Sequence, residues 1–347
     1  MQNKIMTDYK LTICIATFNR GAFISETLDS ILPQLQSNIE LIVVDGASPD
    51  NTSEVMGKYV SQYPRIRYYR ELENSGIDRD YDKAVVYAKG EYCWLLTDDD
   101  LVKPNAINKI LPRLDGLNDL VVINAEVANR DCSKILDEKL IKLDSNQTYK
   151  AYESDKFMRE AGHGLSFIGC VIIKRDLWLS RERVNFYGSL FIHVGVIFQQ
   201  PQLKNITLIA DPLVKIRYGN AMWTPRGLEI WLIKWPNLIW SFEGYSTESK
   251  SAVCSNSFLK KLKRLVFYRA SGAYTYKEFK LFLAPQINLL GSFFYLVIAL
   301  FPAQLMNVVA SIYCALINRS MKMAMYSLNN SKYQNFISRW AASIVGV

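Results

Sequence analysis

Three short apolar, β-prone runs set the frame for this chain: LTICIAT at 11–17, LIVVD at 41–45 and YCWLLT at 92–97. Each stops abruptly in polar residues: Phe18-Asn19-Arg20-Gly21, then Gly46 to Thr52, then Asp98-Asp99-Asp100. Between the first two, Phe23, Ile24, Leu28, Ile31 and Leu32 share one helical face. A second helix is predicted from Thr52 to about Tyr63, a strand over 66–70, and a helix over Tyr81–Lys89 closed by Gly90. Continuous apolar runs suit strands buried on both faces, and their alternation with helices predicts a doubly wound α/β sheet. In such sheets the loops at the strands' carboxyl ends border a ligand crevice. Three clusters far apart in sequence are therefore expected to line one pocket.

Further strands are predicted at 119–125, 166–175 and 206–218, with a strand pair and a helix in 126–164. Helices are predicted from Asp176, over an amphipathic 187–199, and over a Trp-rich 226–242. Ile287–Ile317 has no charged residue and is broken by Pro302. Each half is short for a bilayer of about 30 Å. The net charge of +8 is concentrated: from Ser255 onward there are eleven Lys/Arg and one acid, Glu278. Basic residues on both flanks of an uncharged run predict a re-entrant or in-plane helical hairpin on a membrane surface. The same adjacency points to lipid rather than nucleic acid as the anionic partner. A buried helical pair or a dimer interface is the alternative. Six scattered cysteines without metal-like spacing fit buried, reduced thiols, and Met1–Lys10 has no apolar core of signal length. Two regions are expected: a catalytic domain over 1–245, with halves at 1–125 and 126–245, and a basic helical region over 246–347.

Asp98-Asp99-Asp100 ends a buried strand. Carboxylates on a tight turn can hold a hard divalent cation against a diphosphate; a helix cap before Lys103-Pro104 is the plainer alternative. Asp45 at a strand end can accept from a base or ribose, or simply order a turn. Thr17, Phe18, Asn19 and Arg20 offer small polar groups, an aromatic ring and a cation, or form a plain strand-to-helix turn.

Together, ICIATFNR, LIVVDGASPDNT, NSGIDRDYDKAVVYAKGEY and WLLTDDDLVKP resemble the donor half of the family 2 glycosyltransferases, over about residues 10–125. The resemblance implies a GT-A fold (a Rossmann-like doubly wound mixed sheet), a nucleotide-sugar donor, and Mg²⁺ or Mn²⁺. It implies that Asp45 contacts the base, Asp98 lies near ribose and metal, and Asp100 binds the metal. Thr17, Phe18, Asn19, Arg20, Gly76, Arg79, Asp82 and Asp99 complete the implied donor site. GIDRDYDKAV, GEYCWLLTDDDL, RYGNAMW and EIWLIKWPNLIW are similar to abequosyltransferase-like enzymes of bacterial O-antigen assembly. That narrower likeness implies a CDP-3,6-dideoxyhexose donor and a polyprenyl-diphosphate-linked oligosaccharide acceptor. It also implies a peripheral or monotopic place on the cytoplasmic face of the inner membrane.

Two departures stand out. Asp82 occupies a position where many members carry Asn. The acceptor half lacks the family's acidic pair: no carboxylate lies between Gly188 and Ala210. His193 stands in its place and can be a base for an inverting transfer, a metal ligand or a structural residue. His163, between glycines, is a loop candidate. Arg217, Asn220 and Trp223 follow a predicted strand; Arg217 can bind diphosphate and Trp223 can stack on sugar. A nucleotidyltransferase on a similar sheet, or a non-catalytic scaffold, is the alternative function. ATFNRGAF lacks the Gly-rich triphosphate loop that the former needs.

Overall fold

The computed structural model describes residues 9–220, 226–286 and 289–347. Residues 1–8, which hold most of Met1–Lys10, lie outside it, as do Trp223 and the start of the 287–317 run. The chain divides into two compact units.

The first unit comprises residues up to Glu126, 138–216 and 242–249. Its elements begin β1 (Leu11–Thr17), α1 (Ile24–Ile31), β2 (Ile39–Asp45), α2 (Thr52–Gln62), β3 (Ile66–Arg70), α3 (Ile77–Tyr87), β4 (Tyr92–Leu96), β5 (Leu101–Val102) and α4 (Ala106–Ile110). Then, in chain order, come β6 (Leu120–Ala128), whose last two residues belong to the second unit, β7 (Ile135–Asp137), which lies wholly in it, β8 (Gln147–Lys150), α5 (Ser154–Ala161), β9 (Val171–Lys174), α6 (Arg175–Ser180), α7 (Ile192–Phe198) and β10 (Asn205–Arg217), whose last residue also belongs to the second unit. The strands run in the order β3-β2-β1-β4-β9-β6-β10-β5, with β8 on β10. β3, β2, β1 and β4 are parallel, and β9 turns the sheet antiparallel. This is the mixed α/β sheet the alternation predicts. Every residue of β1, β2 and β4 is buried, as unbroken apolar runs covered on both faces require. The register sets Thr17 beside Asp45.

Three local expectations change. α3 begins at Ile77 and ends at Tyr87, so Gly90 does not cap it. A Cβ on Gly90 would lie 2.6 Å from the Thr12 nitrogen, so close approach to β1 requires glycine there. β9 starts only at Val171, because 164–170 form two 3₁₀ turns. α7 is shorter than 187–199 and is buried at every position, so it is not amphipathic.

The second unit comprises 127–137, 217–241 and 250–347. It takes in two segments that the sequence reading assigns to the 1–245 domain. Its strand pairing is Val127–Ala128 with β7. Its helices are α8 (Gly227–Glu229), continued by a π turn into α9 (Trp235–Ser241), then the end of α10 (Thr247–Val253), α11 (Phe258–Ser271), α12 (Tyr276–Glu278), α13 (Leu289–Leu300), α14 (Ala303–Ile312), α15 (Lys322–Asn329) and α16 (Phe336–Val345). Two apolar clusters hold them: one around Ala310, Cys314, Met325 and Ala341, the other around Leu265, Tyr274, Tyr295 and Ala299. Buried Asn307 bridges elements, donating to the carbonyls of Ala270 and Leu328 and accepting from Asn335 Nδ2 at 2.9 Å. Trp235 is core, and Trp240 Nε1 donates to the Cys254 carbonyl. All six cysteines are free, five of them buried. Among the described residues no single helix is long and apolar enough to cross a membrane; Gly291–Leu300 and Ala303–Ile317 form a pair bent by 99°.

Candidate functional site

The parallel strands of the first unit deliver their polar ends to one edge of the sheet. Arg20, just past β1, reaches the acids that follow β4: its Nε lies 3.7 Å from Asp98 Oδ1 and its Nη2 3.5 Å from Asp99 Oδ2. The loop after β1 is tied to the loop after β2 through Asn19 N–H to Ser48 Oγ, Arg20 N–H to Thr52 Oγ1 and Gly21 N–H to Asp50 Oδ2. Asn19 and Ala47 adopt positive φ values of 59° and 62°, a conformation seldom taken by non-glycine residues outside constrained loops. The structure therefore brings together Thr17, Phe18, Asn19, Arg20, Asp45 and Asp98–Asp100, as expected.

The acidic turn crowds like charges together. Asp98 is buried, and burial together with the Asp99 charge pushes its carboxyl up to about 7, against the pull of Arg20 and Thr17. Asp100 is 2% exposed; Thr97 Oγ1 donates to its carboxylate, and its backbone carbonyl accepts from Thr27 Oγ1 at 2.9 Å. Among the described residues no three His, Cys, Asp or Glu side chains form a metal cage. An all-oxygen pair nevertheless fits Mg²⁺ or Mn²⁺, which commonly bind through one or two carboxylates plus phosphate and water.

Asp45 is fully buried. Its Oδ1 accepts from Ser48 N–H at 2.8 Å and its Oδ2 from Tyr68 Oη at 2.5 Å. A nucleotide contact at Asp45 therefore requires Tyr68 to share or give up its hydrogen bond. Beyond it lies Asp80, which the sequence reading missed. Asp80 is 1% exposed and presses on Gly46, where a Cβ would sit 2.7 Å from its Oδ2. Burial, with the charges of Glu71 and Asp45, raises its carboxyl to about 6, opposed by Ser75 and Lys83. Gly76, at φ 92°, opens α3.

The other side of α3 serves a different segment. Asp78, also missed, accepts backbone N–H bonds from Gly188, Leu190 and Ile192 at 2.8, 2.9 and 3.1 Å. It holds Leu190 at φ 71°, an unusual place for a bulky residue, immediately before α7. Arg79 lies 5.2 Å from the Tyr187 ring centroid. The Asp82 carboxylate is taken up by Trp178 Nε1 and Arg183 Nε, both at 2.8 Å, and by the Tyr187 hydroxyl. These contacts make Asp82 an anchor for 178–187. The only available signal was a first helical turn carrying two acids, a pattern that usually means favourable placement at a helix N-terminus.

His193 is 1% exposed, and its Nε2 lies 2.8 Å from the Leu165 carbonyl. A carbonyl only accepts, so Nε2 carries the proton and Nδ1 presents its lone pair. Nδ1 has no hydrogen-bond partner among the described residues. Burial lowers the ring's pKa to about 4, although the Leu165 bond opposes this, so the imidazole is neutral at pH 7. Arg217 falls in the second unit, where its Nη1 donates to the Arg130 carbonyl at 2.9 Å.

Residues 12–177 match the model of the glycosyl transferase family 2. The chain is 27% identical over 233 residues to the abequosyltransferase RfbV of Salmonella typhimurium (strain LT2), covering 62% of this chain and 69% of that protein. It is 30% identical over 113 residues to the glycosyltransferase GlyG of Streptococcus pneumoniae, covering 33% of this chain and only 38% of that protein. Among solved structures it is similar to the mannosyltransferase PcManGT of Pyrobaculum calidifontis in complex with GDP-Man and Mn²⁺. There the TM-score is 0.54 at 16% identity, over 96% of this chain and 87% of that one. At that identity the likeness shows the GT-A fold alone. The nucleotidyltransferase alternative gives way: the match over residues 12–177, with relatives named as glycosyltransferases, makes the chain a glycosyltransferase.

Proposed function

We propose that this enzyme transfers a sugar from a nucleotide-sugar donor to a lipid-linked oligosaccharide in bacterial surface-polysaccharide synthesis. The carrying observation is the juxtaposition of Arg20 with Asp98 and Asp99 inside the family-matched region. The similarity to an abequosyltransferase supports a CDP-3,6-dideoxyhexose donor and a polyprenyl-diphosphate-linked acceptor.

In this reading the β1 and β2 loops seat the nucleotide, Asp45 accepting from the base once Tyr68 yields. Asp98 and Asp100 would hold Mg²⁺ or Mn²⁺, which when bound offsets charge on the diphosphate. Arg20 orients the donor by pairing with phosphate oxygens. The acceptor hydroxyl forms a bond to the anomeric carbon as the bond to the diphosphate oxygen breaks. His193 Nδ1 takes the hydroxyl proton, and in-line attack inverts the anomeric centre. The Nδ1 lone pair, unpartnered among the described residues, supports this role.

A thermal-shift and donor-hydrolysis screen over CDP-, UDP-, GDP- and dTDP-sugars, with Mn²⁺ or with EDTA, tests the reading. A shift for one nucleotide class that EDTA removes is the expected result. Full turnover in EDTA would sink the metal assignment. Replacing His193 with Ala should cut transfer while sparing donor binding; unchanged turnover removes it as the base.

A further inference from the structure

The second unit leaves one side of its C-terminal helices uncovered. On α13, Tyr295 and Ala299 are packed into the unit's own core, whereas Phe293, Val297 and Leu300 are exposed at 61%, 48% and 61%. On α14 and the π turn after it, Ala303, Asn307, Ala310, Cys314 and Ala315 are buried. Leu305, Val309, Ile312 and Leu316 are exposed. Steps of four, three and four residues place these last four on one stripe. α16 repeats the pattern, with Phe336, Trp340 and Ile344 exposed against buried Ala341 and Ala342.

We propose that this one-sided apolar surface is an in-plane binding face for an anionic lipid bilayer. Three observations choose this over the alternatives. The two limbs, Gly291–Leu300 and Ala303–Ile317, are about 15 Å and about 22 Å long at 1.5 Å per residue. They are bent by 99°, and neither crosses a hydrocarbon core of about 30 Å. A spanning or re-entrant hairpin would need apolar surface around its circumference. Here each limb has one face already packed in protein, which suits a helix lying in the interface plane. The charge is complementary to anionic headgroups: from Ser255 onward there are eleven basic residues and one acid. Some of that charge touches the limbs themselves. Lys263 Nζ lies 4.9 Å from the Tyr313 ring centroid, Arg269 Nε donates to the Phe301 carbonyl at 2.7 Å, and Arg319 is exposed just past the second limb. A second copy of the chain would bring the same positive charge to the same patch, which disfavours self-association there. The inference is independent of the transfer chemistry.

The test is flotation of the whole 347-residue chain with phosphatidylcholine vesicles, with and without phosphatidylglycerol. The chain should float with the phosphatidylglycerol vesicles and at least about tenfold less with neutral ones or in high salt. The triple variant Leu305→Ser, Val309→Ser, Leu316→Ser should lower partitioning at least about tenfold while its thermal unfolding stays unchanged. Lys263→Gln with Arg319→Gln, which leaves the apolar stripe intact, should reduce binding only to the anionic vesicles. Protease added outside should remove a C-terminal tag. Equal binding to neutral vesicles, or no binding, overturns the proposal. So does a dimer, seen by sedimentation, that the triple variant abolishes without changing flotation. A protected tag would mean a span and would also overturn it.

Discussion

Asp98 and Asp100 of the acidic turn and the pair Asp78 and Asp82 are acids buried within the same unit, yet they are differently served. Asp78 and Asp82 are matched by partners: three backbone N–H donors for one, an indole donor, a phenol donor and the Arg183 guanidinium as ion-pair partner for the other. At the acidic turn the acids crowd one another, and Asp98 is pushed up to about 7 by burial and Asp99 despite Arg20. A buried carboxylate matched by donors holds structure; one crowded by like charge is poised for a ligand that supplies positive charge.

The sharpest way to break this comparison is to delete one acid from each set. Asp100→Ala should reduce transfer by roughly 10²-fold or more, the scale of losing an electrostatic element of a transition-state site, with little change in the urea midpoint. Measured turnover near wild type would end the distinction. Asp78→Ala should do the reverse, leaving three N–H groups of the 188–192 segment without their acceptor. At about 1 to 3 kcal/mol per unsatisfied group, partly relieved by water, a loss of roughly 3 kcal/mol in urea unfolding is expected. The donor-induced thermal shift should survive. If stability holds and donor binding is lost, the two sets have been assigned the wrong way round.

His193 sharpens the comparison through pH. Its folded pKa of about 4 lies below the ordinary histidine value of 6.5, so the fold favours the neutral ring. That contribution is fully present above 6.5 and is lost as pH falls toward 4. His193→Gln should therefore show a flatter stability profile across that window than wild type, by at most roughly 3 kcal/mol at its lower end. Parallel profiles would show that the ring is not held neutral by burial. The smallest effect is expected at Tyr68→Phe, which removes one donor from Asp45. It should cost about 1 to 2 kcal/mol of stability, and isothermal titration should show donor affinity kept or improved if Tyr68 competes with the nucleotide. A large loss of donor affinity would instead make the phenol part of the binding site.

Much of this was legible in the chain itself. LTICIAT, LIVVD and YCWLLT dictate buried parallel strands because apolar, β-branched runs this short are stable only when covered on both faces. Their polar ends then have to meet at one edge, which placed Arg20, Asp45 and Asp98–Asp100 together without further information. The charge-free run split by Pro302 likewise foretold two short helices rather than one span. Hydrophobic pattern and loop chemistry are local signals, and they carry the frame of the molecule.

What the tertiary structure alone decided concerns partners distant in sequence. Asp78 finds its three donors more than 100 residues away. Asp82 meets Trp178, and Asp80 turns toward Gly46. The glycine at 90 serves a neighbouring strand, not its own helix. None of these follows from periodicity, because a side chain's role depends on which groups the packed sheet and helices bring within about 3 Å of it. The sequence by itself determined where the charge lies along the chain; only the fold decided which groups each of those charges meets.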